Sequence, residues 1–520
     1  MSDNLVPKKV VDFITGSIPL RNANRYDESP ACLDEALEIA PDCLPALIYK
    51  GNLLREMARF EEAATCFERS IRSAPNKDEL GRLLISTLQE ALDYYDRILA
   101  TSPENTELLL KRGNVLLRLR RYEEAIVSYD HYLSVHPEDA DGWNNRGNAL
   151  LELDRVQEAL ESYDRALEIR PHGINELYNR GNTLQQLGRF EEALVSYDRV
   201  LEQKPEMAEA VMEQSRCRLA MGDFASGWLL QESRWQTGQL KGTHLASTKP
   251  LWLGERNIGG KSILLWAEQG FGDTIQFLRY VPQVVQRAGL VYLRVPEALR
   301  SLCETLRCRV PIVTDNEAIP PHDLHCPLMS LPIPFGTTLN SIPADVPYIN
   351  ADPARIANWQ DLLGPRSRPR VGLVWAGRRN GNRTRDMRLE SLLPLTLLNV
   401  DLINLQKEIP KEDRGALAGM PELRSLGILL SDFADTAALL ENLDLVISVD
   451  TAVAHLAGAL GMPVWLILRH SGEWRWLRER ADSPWYPSMR IFRQKAPGDW
   501  TGVVGEIMEQ LRKSFGPALK

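Results

Sequence analysis

No stretch of this sequence comes near 18 uninterrupted apolar residues, and the opening MSDNLVPKKVVDFITG has no apolar core of the leader type. Without either there is no segment to cross or enter a bilayer, so the expectation is a cytoplasmic protein with no transmembrane segment. Basic charge is also short. Against 70 Asp and Glu stand 61 Lys and Arg, a net charge of -9. Tracking along phosphates needs a basic field, so this balance argues against a nucleic-acid partner. The seven cysteines are odd in number and scattered, which suits reduced core thiols better than a disulfide framework. Cys303, Cys308, His322, His325 and Cys326 do cluster, but their CxxxxC and HxxHC spacing matches no usual zinc finger, and no metal is expected there.

A length of 520 residues, 44% hydrophobic and 25% charged, is ordinary for globular protein and leaves room for roughly two to four domains. The first part is a repeat. Prolines at 41, 75, 103, 137, 171 and 205 step by 34 residues, except for 28 between Pro75 and Pro103, and Gly113, Gly147 and Gly181 also step by 34. This is the tetratricopeptide period. In one copy Trp143, Gly147, Leu150, Ala159, Tyr163, Ala166 and Pro171 fall where a helical hairpin needs bulk, close approach and a stop. Gly113, Ala125, Tyr129 and Pro137 repeat the pattern, as do Gly181, Ala193, Tyr197 and Pro205. The short copy keeps Ala91 and Tyr95 in second-helix register, which predicts a shortened first helix. Pro19 and Pro30 interrupt the N-terminal copy, which reads as a degraded cap.

Residues 1–240 are therefore expected to form an all-α superhelix whose concave side is lined by first-helix residues. Asn52, Asn114, Asn148 and Asn182 each follow the repeat glycine, and Asn145 and Asn179 precede them by one turn. On an inner face such amides suit the backbone of an extended peptide; as helix-polar filler they would do nothing. Trp228 and Trp235, in the last copy, are placed to bury the end of the array against the next domain.

Near Thr243 the period changes. SILLWAEQGFGDTIQFLRYVPQVVQRAGLVYLRV reads as strand, glycine turn, helix, strand, with Gly270 and Gly272 at the carboxyl end of the first strand and Asp273 at the helix start. Ile275 stands where a dinucleotide fingerprint has its third glycine, so NAD and FAD are not inferred, and GERNIGGKS precedes its strand, unlike a Walker loop. A second α/β set opens with RPRVGLVWAG, closed by Gly377. Arg378, Arg379, Arg383, Arg385 and Arg388 follow, opposed only by Asp386, and guanidinium forks suit a diphosphate. LVISVDTAVAHLAGALGMPVWLIL, 445–468, is a further βαβ unit. It puts Asp450 and Thr451 at the ligand edge of the sheet, with His455 one turn deeper on the same face. The plainer reading makes Asp450 the N-cap, Thr451 a first-turn residue and His455 a satisfied core histidine. Trp474, Trp476, Trp485 and Tyr486 crowd the tail, where core packing is the safer expectation than stacking on a sugar.

Two such lobes, 241–367 and 368–520, make an α/β domain of two Rossmann-like halves, the plan of GT-B glycosyltransferases. GFGDTIQFLRYVP is similar to the first strand-turn-helix of the ADP-heptose lipopolysaccharide heptosyltransferase family, and SVDTAVAHLAGALGMPV resembles that family's donor segment. The whole chain looks like bacterial proteins that join tetratricopeptide repeats to a domain of this kind. The resemblance implies that Asp273 is the catalytic base. It also implies that Asp450, Thr451 and His455 lie near the donor's sugar and diphosphate, and that Arg388 balances the diphosphate where the family commonly has lysine; Gly270, Gly272 and Gly377, at strand ends, are expected to complete the donor site. The activity implied is inverting, metal-independent glycosyl transfer, with a nucleotide-diphosphate sugar as co-substrate, no cofactor, and an acceptor recruited by the repeats, which are expected to bind protein or peptide; whether the acceptor is protein, glycan or lipid-linked stays open. The competing reading is a repeat scaffold for protein–protein interaction whose α/β domain is a degenerate binding module.

Overall fold

The computed structural model describes residues 7–22, 28–74, 77–238, 240, 245, 247–377 and 387–516. By compactness the chain divides into Met1–Thr183 and Leu184–Lys520. Among the described residues no helix is long and apolar enough to cross a membrane.

Among its described residues the first unit has helices and turns alone. Leu44–Glu56 pairs with Phe60–Ser73, Thr106–Arg118 with Tyr122–Val135, and Ala140–Glu152 with Val156–Ile169. The repeat glycine explains how closely the partners pack. A Cβ on Gly51 would sit 2.6 Å from the Phe67 ring, one on Gly113 2.5 Å from Tyr129, and one on Gly147 2.7 Å from Tyr163. Only hydrogen fits there. The turn between partners needs a left-handed residue, supplied by Ala58 (φ 55°), Arg120 (φ 60°) and Asp154 (φ 58°). Between successive repeats, Arg112, Arg146 and Arg180 each pair with an aspartate 16 residues earlier, Asp96, Asp130 and Asp164, all at 2.6 Å. Such half-exposed pairs fix register more than they add stability.

The short repeat differs from the expectation of a shortened first helix. Asp78–Thr101 is one continuous helix of 24 residues. The six missing residues have taken the turn with them, so the second-helix positions Ala91 and Tyr95 stay buried in the stack while the hairpin disappears. The prolines of the N-terminal copy are accommodated: Pro19 lies in the last turn of Lys8–Asn22, and Pro30 in the first turn of Glu28–Ile39, where no backbone donor is needed.

The second unit holds the last repeat helices, Phe190–Gln203, Ala208–Ala220 and Phe224–Gln231, followed by two wholly parallel sheets. The repeat period ends near residue 243, yet these helices are compact with the sheets, because Trp228 seats them there. Buried, it donates from Nε1 to the Thr337 carbonyl at 3.2 Å and meets Phe277, Trp474 and Trp485 edge-on. Trp235 lies against Trp266. The anchoring expected of both tryptophans is present.

The first sheet has the order β3-β2-β1-β4, with β1 Ser262–Trp266, β2 Leu290–Val295, β3 Ile312–Thr314 and β4 Leu324–Pro327. The second has the order β10-β9-β8-β5-β6-β7, with β5 Arg370–Val374, β6 Asp401–Asn404, β7 Leu423–Ser425, β8 Leu445–Val449, β9 Val464–Leu468 and β10 Met489–Arg493. Strands β5, β8 and β9 are buried at all five positions, as continuous apolar runs covered on both faces must be. The connection reverses between β1 and β4 in one sheet and between β5 and β8 in the other. Such switch points open a crevice at the carboxyl ends of the strands.

Candidate functional site

After β1 the chain turns through Glu268 and Gly270 into the helix Phe271–Phe277. Gly270 is the N-cap in an extended conformation, and Asp273, three residues on, accepts its N–H through Oδ2 at 3.2 Å. Gly272 is where this helix meets the second lobe. A Cβ there would lie 2.9 Å from His455 Cδ2 and 3.5 Å from Ala452 Cα, so the glycine lets the β1 turn press against the helix Ala452–Ala459. The helix that carries Asp273 is thereby seated against the helix that follows β8.

At the end of β8 Thr451, not Asp450, is the N-cap, and its hydroxyl lies 3.0 Å from Ser448 Oγ. His455 is buried. Its Nδ1 is 2.9 Å from the Tyr486 hydroxyl, its Nε2 3.6 Å from Asp450 Oδ1, and its ring stacks on Trp476. Burial pulls the histidine below its ordinary range although Asp450 opposes the shift, so the ring is neutral at neutral pH. It can donate or accept a hydrogen bond but supplies no counter-charge. Trp474, Trp476, Trp485 and Tyr486 are all buried core, as the safer expectation had it.

Gly377 ends the described stretch after β5. Gln406, past the end of β6, pins this edge by accepting from the N–H groups of Trp375 and Ala376 at 3.1 and 3.0 Å. Arg388 is half-exposed and sits among acids, with Nε 3.6 Å from Asp413 and Nη1 3.8 Å from Glu412. Arg378, Arg379, Arg383 and Arg385 lie outside the described residues.

The asparagines of the repeats form a connected row. Asn114 Oδ1 accepts from Asn145 Nδ2 and from the Tyr129 hydroxyl, both at 3.0 Å. One repeat on, Asn148 Oδ1 accepts from Asn179 Nδ2 at 3.2 Å and from the Tyr163 hydroxyl at 2.8 Å. With their oxygens committed, Asn114 and Asn148 can donate only through their amide nitrogens. Asn182 occupies the equivalent position in the next repeat.

Two partnerships escaped sequence reasoning. Arg475 pairs with Asp273 Oδ1. Glu268, buried, pairs with the equally buried Arg234 at 3.2 Å and accepts from Met329 N–H at 3.2 Å. Burial raises the Glu268 carboxyl to about 7, with Arg234 pulling the other way. The available signals were a glutamate closing an apolar strand and an arginine between two tryptophans; neither names its partner.

Comparison with known proteins gives the class first. Tetratricopeptide-repeat models match residues 45–77, 85–133, 110–174 and 174–207, and the model of glycosyltransferase family 9 (heptosyltransferase) matches 430–497. The chain thus carries tetratricopeptide repeats at its N-terminal end and a glycosyltransferase family 9 domain at its C-terminal end. Among individual proteins, Protein FlbA of Caulobacter vibrioides is 29% identical over 338 residues, covering 58% of this chain and 55% of FlbA. The chain spans about half the length of that relative. Solved structures similar to it include MamA, with 18% identity, a TM-score of 0.29 and coverage of 33% of this chain and 100% of that one. Another is YrrB, described as a TPR protein with an unusual peptide-binding site, with 20% identity, a TM-score of 0.22 and coverage of 39% and 92%.

Proposed function

We propose that this chain is an inverting glycosyltransferase that takes a sugar from a nucleotide-diphosphate donor, without a metal ion, and passes it to a protein or peptide recruited by the repeats. One observation carries the reading: the helix of Asp273, at the switch point of the first sheet, is seated through Gly272 against His455 and Ala452, and His455 lies 3.6 Å from Asp450, at the switch point of the second. In this mechanism Asp273 takes the proton of the acceptor hydroxyl as its oxygen attacks the anomeric carbon. The bond to the diphosphate breaks, and its electron pair leaves on the phosphate oxygen. The Thr451 hydroxyl, the N-terminal amides of Ala452–Ala459 and Arg388 stabilise the departing charge. For Arg388 to serve, its guanidinium turns from Glu412 and Asp413 toward the phosphates. The row Asn114, Asn145, Asn148, Asn179 and Asn182 grips the backbone of the acceptor without reading its side chains.

The test uses the purified full chain with EDTA and a panel of nucleotide-diphosphate sugars, following release of the nucleotide and glycosylation of added peptide. Turnover of at least one donor with chelator present is expected. Strict dependence on magnesium or manganese would overturn the metal-free mechanism, and a folded protein that binds no donor would favour the scaffold reading.

A further inference from the structure

We infer that Arg475 is a positioning residue for Asp273: it holds one carboxylate oxygen so that the other is presented to the acceptor. The inference rests on the reading of Asp273 as the base. Arg475 is itself rigidly built in. Its residue is 8% exposed, its Nε donates to Gln276 Oε1 at 2.7 Å, and its guanidinium lies over the Trp474 ring at 4.5 Å. Glu473 lies 3.9 Å from Nη1. Gln276 is fully buried and belongs to the same helix as Asp273, so one guanidinium ties two points of that helix to the second lobe.

The segment carrying Arg475, Trp474–Trp476, is braced in turn from the repeat side. The helix Ala208–Ala220 packs on it, and Trp228 meets Trp474 edge-on at 5.3 Å. A side chain stacked, anchored at Nε and buttressed from behind loses little further freedom on pairing, which suits a fixed orienting group better than one that travels with a substrate. With Oδ1 taken by Arg475, Oδ2 accepts among the described residues only from the Gly270 N–H, at 3.2 Å. That is the oxygen able to accept a proton.

The experiment compares full-length wild type, Arg475→Gln and Arg475→Lys. Asp273 is labelled with a water-soluble carbodiimide and glycine ethyl ester, read by peptide mass spectrometry. Transfer is measured with any donor found to turn over. Arg475→Gln is expected to label roughly tenfold faster at Asp273, and Arg475→Lys to stay near wild type. The transfer rate kcat of Arg475→Gln is expected to fall roughly ten- to a hundredfold with donor KM nearly unchanged, a split that simple loss of fold would not give. Should Arg475→Gln fail to fold, Gln276→Leu, which removes the Nε anchor and keeps the charge, replaces it and should give a smaller rise in labelling. Unchanged labelling overturns the inference without any donor being known. Faster labelling with wild-type kcat overturns the positioning role. Full activity of Asp273→Asn removes the base itself and the positioning role with it, while the labelling still reports whether the pair exists.

Discussion

Replacing Glu268 by glutamine should flatten the pH dependence of stability. Burial raises this carboxyl from 4.5 to about 7 in the folded chain, against the pull of Arg234. The folded state therefore keeps a proton that the unfolded chain releases, and the stability this brings is full below pH 4.5 and is lost as pH climbs through about 7. At roughly 1.4 kcal/mol per pH unit, the span amounts to about 3 kcal/mol. Glutamine has nearly the same shape, and its carbonyl oxygen still accepts from Met329 N–H and Arg234, but it has no proton to lose. Urea unfolding followed by tryptophan fluorescence between pH 4.5 and 8 is the assay, since Trp235 and Trp266 flank this pair. Wild type should weaken relative to Glu268→Gln by about 3 kcal/mol across that range. Parallel curves would refute the buried, protonatable carboxyl.

In the repeats, Gly147→Ala puts a methyl 2.7 Å from the Tyr163 ring and should destabilise the chain by roughly 1–3 kcal/mol, read as a lower urea midpoint. Arg120→Gly relieves a left-handed φ of 60° in an exposed turn and should raise that midpoint, by about 1 kcal/mol. A fragment beginning at Leu184 should fold and bind nucleotide, whereas one beginning at residue 239 lacks Trp228 and Arg234 and should expose apolar surface, seen as dye binding.

What was legible in the sequence was local. The 34-residue step gave the repeat glycines and aromatics, and the Gly270–Asp273 and Asp450–His455 stretches marked the two strand ends, because each lies within one turn and helix. What was not legible depends on partners far apart in the chain. Arg475 and Asp273 are 202 residues apart, and Arg234 reaches Glu268 from a repeat segment to a strand end. The fused helix Asp78–Thr101 was missed for another reason. Ala91 and Tyr95 keep the same register whether a short helix and turn precede them or one helix runs through, so periodicity cannot separate the two. For Arg388 the sequence supplied the charge but not the acids 24 and 25 residues on that occupy it.

The central claim is that Asp273 is the base, and Asp273→Asn in the full chain tests it most directly. Asparagine keeps the size, and its carbonyl oxygen can still accept the Gly270 N–H that the aspartate holds at 3.2 Å, but its amide nitrogen then replaces the oxygen that faces Arg475, and it takes no proton at neutral pH. With a working donor and acceptor, the transfer rate should fall by roughly a hundredfold or more while nucleotide binding is retained. A rate within a few-fold of wild type would contradict the account and place the base elsewhere in the cleft.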